Sequence, residues 1–115
     1  MPAARAAADQ GSAVFRALSD PTRRGVLERL SRGPASVTEL AAPFDMTLPS
    51  FVRHLEVLED AGMVRSRKSG RVRTYRLVPD RLRSAEAWLV RQRRLWERRL
   101  DQLDDYVATL QEVPR

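Results

Sequence analysis

The sequence contains no cysteine, and only one histidine, His54, and one lysine, Lys68, among its 115 residues. Without cysteine there is no disulfide, no thiol redox switch and no thiolate metal site. A zinc-type or other soft metal site needs several imidazole or thiolate ligands, which one histidine cannot supply. Catalysis is equally short of parts: the histidine has no evident serine–carboxylate constellation, and no glycine-rich phosphate loop appears. No apolar run approaches transmembrane length, and the opening MPAARAAADQ lacks the continuous apolar core of a signal peptide. These absences lead to the expectation of a cytoplasmic protein that is not an enzyme and carries no metal or cofactor.

What is present is charge. The formal net charge is +6 and the isoelectric point is near 11.1, which suits a polyanionic partner. A membrane surface would attract the same charge, so the balance alone does not choose. Nearly all of the positive charge is arginine, which can bind phosphate bidentately, although a genome-wide codon bias would produce the same skew. The length is that of one domain, with a core that is small but sufficient.

The stretch Ser36 to Val64, SVTELAAPFDMTLPSFVRHLEVLEDAGMV, reads as two short helices joined by a tight turn. Ser36 and Glu39 have the spacing of a capping box, and Val37, Leu40 and Ala41 follow at helical spacing. Pro43 and Asp45 end that helix. Thr47 is placed to cap the next one, with Pro49 in its first turn. Phe51, Leu55 and Leu58 then recur at i, i+4 and i+7 and must face the core. At about 100° per residue, Pro49, Val52, Arg53 and Glu56 point the other way, with Ser50 on the flank. A helix held by an apolar back and showing a mixed front with a central arginine suits a DNA major groove.

Gly62 is placed to stop this helix in a left-handed conformation. The segment MVRSRKSGRVRTYRLV then changes to alternating period. Val64 opens one strand, Ser69-Gly70 makes a turn, and Tyr75 and Leu77 alternate with Thr74 and Arg76 in a second strand. Arg65, Arg67, Lys68, Arg71 and Arg73 crowd the hairpin. Helix, turn, helix and basic hairpin together make a winged helix-turn-helix. The expected fold is mainly α with a small β-hairpin. The candidate DNA-facing residues are Thr47, Leu48, Pro49, Ser50, Val52, Arg53 and His54 on the helix, and Arg67, Lys68, Arg71 and Arg73 on the wing. His54 borders the buried face of its helix, as a hydrogen-bonded edge residue or a phosphate contact.

The segments LSDPTRRGVLERL, VTELA, PSFVRHLEVLEDAGMV and SGRVRTYRL, in that order and spacing, resemble the ArsR-type bacterial repressors. The resemblance covers about Phe15 to Val78. It implies a homodimeric winged-helix repressor that binds a near-palindromic operator and often controls its own or a neighbouring operon. The family's recognition helix matches Thr47 to Leu58, and its wing matches Arg65 to Leu77. Metal sensors of the family carry cysteines in the first helix of the motif, or histidines and aspartates along the last helix. Here the first position reads Glu39-Leu40-Ala41-Ala42, and the last helix has no histidine. Two departures, Leu48 where a polar residue is common and Val52 where a small polar one is, bear on which operator is read.

Around this centre, residues 1–8 are expected to be disordered, 9–79 to form the DNA-binding domain and 80–115 a C-terminal dimerisation helix. A first helix is expected from about Asp9 to Leu18, with Val14, Phe15 and Leu18 inward. Asp20-Pro21 starts a second helix by cap and first-turn proline, with Val26, Leu27 and Leu30 as its core side. Gly25 suggests a close helix crossing. Arg23 and Arg24 lie in the first turn, where the macrodipole disfavours cations, and read as solvated surface. After Pro79-Asp80 a helical run extends to about Gln111, with Leu82, Leu89, Trp96, Leu103 and Leu110 recurring every seven residues. Leu100 and Val107 broaden this stripe, and Trp88 and Leu95 add a second apolar edge. About 45 Å of helix is longer than one such domain can cover. Leu89, Trp96, Leu100, Leu103, Val107 and Leu110 are therefore the candidate dimer contacts. Arg91, Arg93, Arg94, Arg98 and Arg99 precede Asp101, Asp104 and Asp105, so an antiparallel pairing would set acidic ends near basic middles. The aspartates alone read as solubilising surface.

Two rival readings use the same pattern. A winged helix can bind protein instead, with its basic wing as solvated surface and no salt-steep affinity for duplex DNA. RNA binding is disfavoured, because Tyr75 is the only wing aromatic and the alternation buries it.

Overall fold

The first helix boundary that the sequence marks clearly is Asp20-Pro21, and the chain obeys it. Asp20 takes an extended conformation and its carboxylate accepts from the Arg23 amide, so α2 runs Pro21–Leu30 with proline in its first turn. In the computed structural model, residues 11–111 are described. The expected disordered residues 1–8, the start of the first helix at Asp9 and the last four residues lie outside them. The chain divides into two units, Met1–Ala85 and Glu86–Arg115.

In the first unit, α1 (residues 11–18) precedes α2, and β1 (Ala35–Ser36) leads into α3 (Val37–Ala41). The helix α4 (Leu48–Asp60), the strands β2 (Val64–Ser69) and β3 (Val72–Leu77), and the start of α5 (Asp80–Gln111) follow. Val26, Leu27 and Leu30 of α2, Leu40 of α3, and Phe51, Leu55 and Leu58 of α4 meet in one buried core. The α4 stripe is fully dry, each of its three residues being 0% exposed. Burying side chains of this size stabilises the fold by about 1.5–3 kcal/mol apiece.

The structure departs from the sequence reading in several places. In α1 the inward residues are Val14 and Ala17, whereas Phe15 is 37% exposed. Val14, Ala17 and Leu18 are related by i, i+3 and i+4, and Phe15 stands about 100° off that line. Gly25 makes room not for a helix axis but for a ring, since an added Cβ would lie 3.0 Å from Cζ of Phe44. Arg23 and Arg24 are not simply solvated: Arg23 donates to the Arg16 and Ala17 carbonyls and Arg24 to that of Leu18. They add donors to carbonyls at the end of α1, where the helix has no next turn to supply them. Finally, the hairpin is part of a three-stranded antiparallel sheet in the order β1-β3-β2. Ala35 pairs with Tyr75 and Ser36 with Thr74. A strand of two residues is too short to show a period.

Both sequence-read caps of the motif are made. Ser36 and Glu39 complete a reciprocal capping box, and Thr47 caps α4 by accepting from the Ser50 amide. Gly62 has φ +74, so the chain leaves α4 through the left-handed conformation open to glycine.

The second unit is the remainder of α5. Much of its apolar side lies in water: Leu89, Trp96, Leu100, Leu103 and Leu110 are 51–62% exposed and Val107 41%.

Burial raises the pKa of the Asp20 carboxyl. The Arg23 amide, the charges of His54 and Arg23 and the Thr22 amide outweigh it, and the net shift is downward from 3.8. Because the folded value is the lower one, this carboxylate stabilises the fold above its unfolded pKa, and the contribution is lost as pH falls through the folded value. Asp20→Asn keeps a capping oxygen but does not titrate. Acid unfolding followed by circular dichroism should show a shallower loss of stability below about pH 4 in Asp20→Asn than in the parent.

Candidate nucleic-acid interface

The front of α4 is open from its first residue. Thr47, Leu48, Pro49, Ser50, Arg53 and Glu56 are exposed, and Val52 and His54 are half-buried on the flanks of the dry stripe. Leu48 is 56% exposed, an apolar side chain held in water at the helix start. Thr47 and Ser50 also pair through their hydroxyls at 3.0 Å. The structure thus sets Leu48, Val52 and Arg53 on accessible parts of a helix whose opposite face is anchored. That arrangement can present one guanidinium and two apolar groups to base edges.

The wing stands beside this helix and is tied to its C-terminal end. The amide and hydroxyl of Ser66 both donate to one carboxylate oxygen of Glu59, at 2.9 and 2.8 Å. Arg73 donates to the same hydroxyl at 2.8 Å. Tyr75, 4% exposed, anchors the hairpin to the core. Burial and then the Glu59 charge push its hydroxyl above 10.0, so it stays un-ionised. Arg67, Lys68, Arg71 and Arg73 are all exposed on the outer part of the wing.

The reversal falls one residue later than Ser69-Gly70. Ser69 pairs with Val72, so the two loop residues are Gly70 and Arg71. Gly70 has φ +61 and no non-glycine residue has positive φ among the described residues, the pattern of a type II′ turn. This register sets Arg65 opposite Arg76 and Lys68 opposite Arg73. Like charges directly across an antiparallel pair destabilise it, and a polyanion would relieve both repulsions. Arg76 was not among the sequence candidates. Its partner follows only from the turn, which the Gly70 position allowed in two ways.

His54 faces inward on its flank. Its side chain is 23% exposed, and its Nδ1 lies 3.7 Å from a carboxylate oxygen of Asp20 and 3.0 Å from Nη1 of Arg23. Among the described residues no group of three or more histidine, cysteine, aspartate or glutamate side chains could hold a metal ion. No helix among them is long and apolar enough to cross a membrane.

A capped helix on a dry core, preceded by a short capped helix and followed by a basic antiparallel hairpin at its end, defines a winged helix-turn-helix protein. The family model described as a helix-turn-helix domain matches residues 18–67. The chain is 40% identical over 87 residues to the HTH-type transcriptional regulator Rv2034 of Mycobacterium tuberculosis, covering 76% of this chain and 78% of that protein. It is 32% identical over 77 residues to the transcriptional repressor SdpR of Bacillus subtilis, covering 67% of this chain and 86% of that one. Among solved structures, an ArsR family transcriptional regulator, RHA00566, superposes with a TM-score of 0.75 at 56% identity over 77% of this chain and 92% of that one. A homodimeric winged helix-turn-helix DNA-binding domain from Mycobacterium bovis gives 0.63 at 27% identity, over 82% and 88%. The chain belongs to the ArsR family of transcriptional regulators.

The opposed cations generate a prediction. Arg76→Gln removes one like-charge pair from the free wing. The thermal midpoint in low salt should rise by about 1–4 °C, and the gain should vanish at high salt, where the repulsion is screened. A gain that persists in high salt would assign it to packing instead.

Proposed function

We propose that the protein is a homodimeric, metal-independent repressor that acts in the cytoplasm on a near-palindromic operator. The observation that carries this reading is the α4 front, where Arg53 is exposed opposite the fully buried Phe51, Leu55 and Leu58. In this reading Arg53 pairs with guanine edges while Leu48 and Val52 pack on thymine methyl groups. Thr47, Pro49 and Ser50 seat the helix start on the backbone. Arg67, Lys68, Arg71 and Arg73 track phosphate or the minor groove, with Arg65 and Arg76 adding charge. The names of the SdpR repressor and of the homodimeric M. bovis domain support repression and self-association. The exposed stripe Leu89, Trp96, Leu100, Leu103, Val107 and Leu110 supplies an apolar face that a second copy would cover. A two-fold dimer places two reading helices on inverted half-sites about one turn apart. The residue spans 9–79 and 80–115 serve as the DNA-binding and dimerising parts.

Reading and gripping separate by mutation. Arg53→Ala should cost about 1–3 kcal/mol and flatten the preference for the operator over scrambled duplex. Arg71→Ala should weaken both duplexes alike and lower the salt slope by about one unit, because phosphates are the same at every step. The assay is binding to the promoter DNA beside the gene and to a scrambled duplex at several salt concentrations, with circular dichroism as folding control. Equal loss on both duplexes in Arg53→Ala would mean that α4 grips phosphate. An absence of salt-steep DNA binding in the parent would favour the protein-binding alternative.

Light scattering tests the assembly. The parent should run as a dimer at micromolar concentration and Trp96→Ala with Leu103→Ala as a monomer. A parent monomer unaffected by the double substitution would refute the assignment of the stripe.

A further inference from the structure

The sole histidine sits on the element proposed to read DNA, yet its ring nitrogen is turned to the scaffold. Arg23 makes three contacts there. Its Nε donates to the Ala17 carbonyl at 2.8 Å, its Nη2 to the Arg16 carbonyl at 3.0 Å, and its Nη1 lies 3.0 Å from Nδ1 of His54. One guanidinium therefore joins the C-terminal carbonyls of α1, the first turn of α2 and the middle of α4. A guanidinium has donors only. The 3.0 Å contact is a hydrogen bond only if Nδ1 accepts, which requires a neutral ring with its proton on Nε2.

We propose that His54 is a positioning residue for operator recognition: its neutral Nε2–H tautomer takes a hydrogen bond from Arg23 and clamps the recognition helix to the end of α1. The next residue, Arg53, is the proposed guanine reader, so the clamp sets the angle at which that side chain leaves the helix. The charged groups against the ring are the Arg23 guanidinium and, 3.7 Å from Nδ1, the Asp20 carboxylate. A proton on Nδ1 exchanges one for the other. The Arg23 bond is lost, two cations face each other, and the new N–H turns to Asp20. The clamp thus trims the angle of α4, within the small range that its buried apolar back allows, when the ring is neutral, and gives up that contact when the ring is charged.

This inference rests on α4 being the reading helix, and its test separates the two claims. The first measurement needs no DNA. The nitrogen-15 spectrum of the only imidazole in the full-length protein should show Nδ1 unprotonated and Nε2 protonated at pH 8, and a protonated Nδ1 at that pH overturns the clamp. The second compares binding to promoter and scrambled duplexes at fixed salt and pH 8. His54→Phe keeps a ring but offers no acceptor, and should lose preference about tenfold at pH 8. His54→Asn offers an oxygen near the Nδ1 position, and should keep the parent preference. Loss of affinity by His54→Phe on both duplexes equally, with a lower salt slope, would make His54 a phosphate contact and overturn the proposal. Failure of His54→Asn to restore preference would also overturn it. If the parent itself shows no preference, the reading-helix assignment falls, and the tautomer still decides whether Arg23 and His54 are clamped.

Discussion

The burial of Phe51, Leu55 and Leu58 against α2 and α3 is the constraint on which the rest depends. These three side chains lie on one line of α4, and all are completely withdrawn from water. A helix fixed along its back by three large side chains can shift only slightly, because a larger roll would bring apolar surface out at about 25 cal/mol per Å². Its front is thereby specified as strictly as its back. The exposure of Leu48 and Arg53 is a consequence of that anchoring rather than of any preference of their own. The caps at Thr47 and Gly62 then set where the helix begins and ends.

Around this anchored helix the polar contacts are of two kinds. At the N-terminal side of the motif, Arg23 collects carbonyls of α1 and the ring of His54. At the C-terminal side, Glu59 holds the amide and hydroxyl of Ser66 and, through it, Arg73. Both links are charge-assisted, a class of hydrogen bond about twice as strong as neutral ones. Helix and wing are consequently held by directional contacts at both ends, while the apolar core between them supplies most of the stability.

The parts written locally were the legible ones. Asp20-Pro21, Ser36 with Glu39, Thr47 with Pro49, and Gly62 each concern residues within four positions of one another, where spacing alone decides the hydrogen bond. The α4 stripe and the alternation of Tyr75 and Leu77 are periodic and equally plain. What escaped is of longer range or too brief. Arg23 and His54 are 31 residues apart, so nothing near either one announces the contact. The strand Ala35–Ser36 is two residues long, below the length at which alternation means anything. The wing register turned on a single step at Gly70, and that step is what brings Arg76 across from Arg65. Phe15, read as inward with Val14 and Leu18, stands off the core because the neighbours of Val14 on a helix are Ala17 and Leu18.

The paired arginines of the wing carry a cost for anyone who seeks to toughen this protein. Arg65 and Arg76 face each other in the free chain, so substitutions that relieve them make the isolated protein sturdier. The same substitutions subtract cations from the surface proposed to meet phosphate. A selection for heat resistance alone, without a demand for occupancy of a promoter, would drift toward neutral residues at these two positions. It would return a hardier domain that had lost its hold on the polymer it serves.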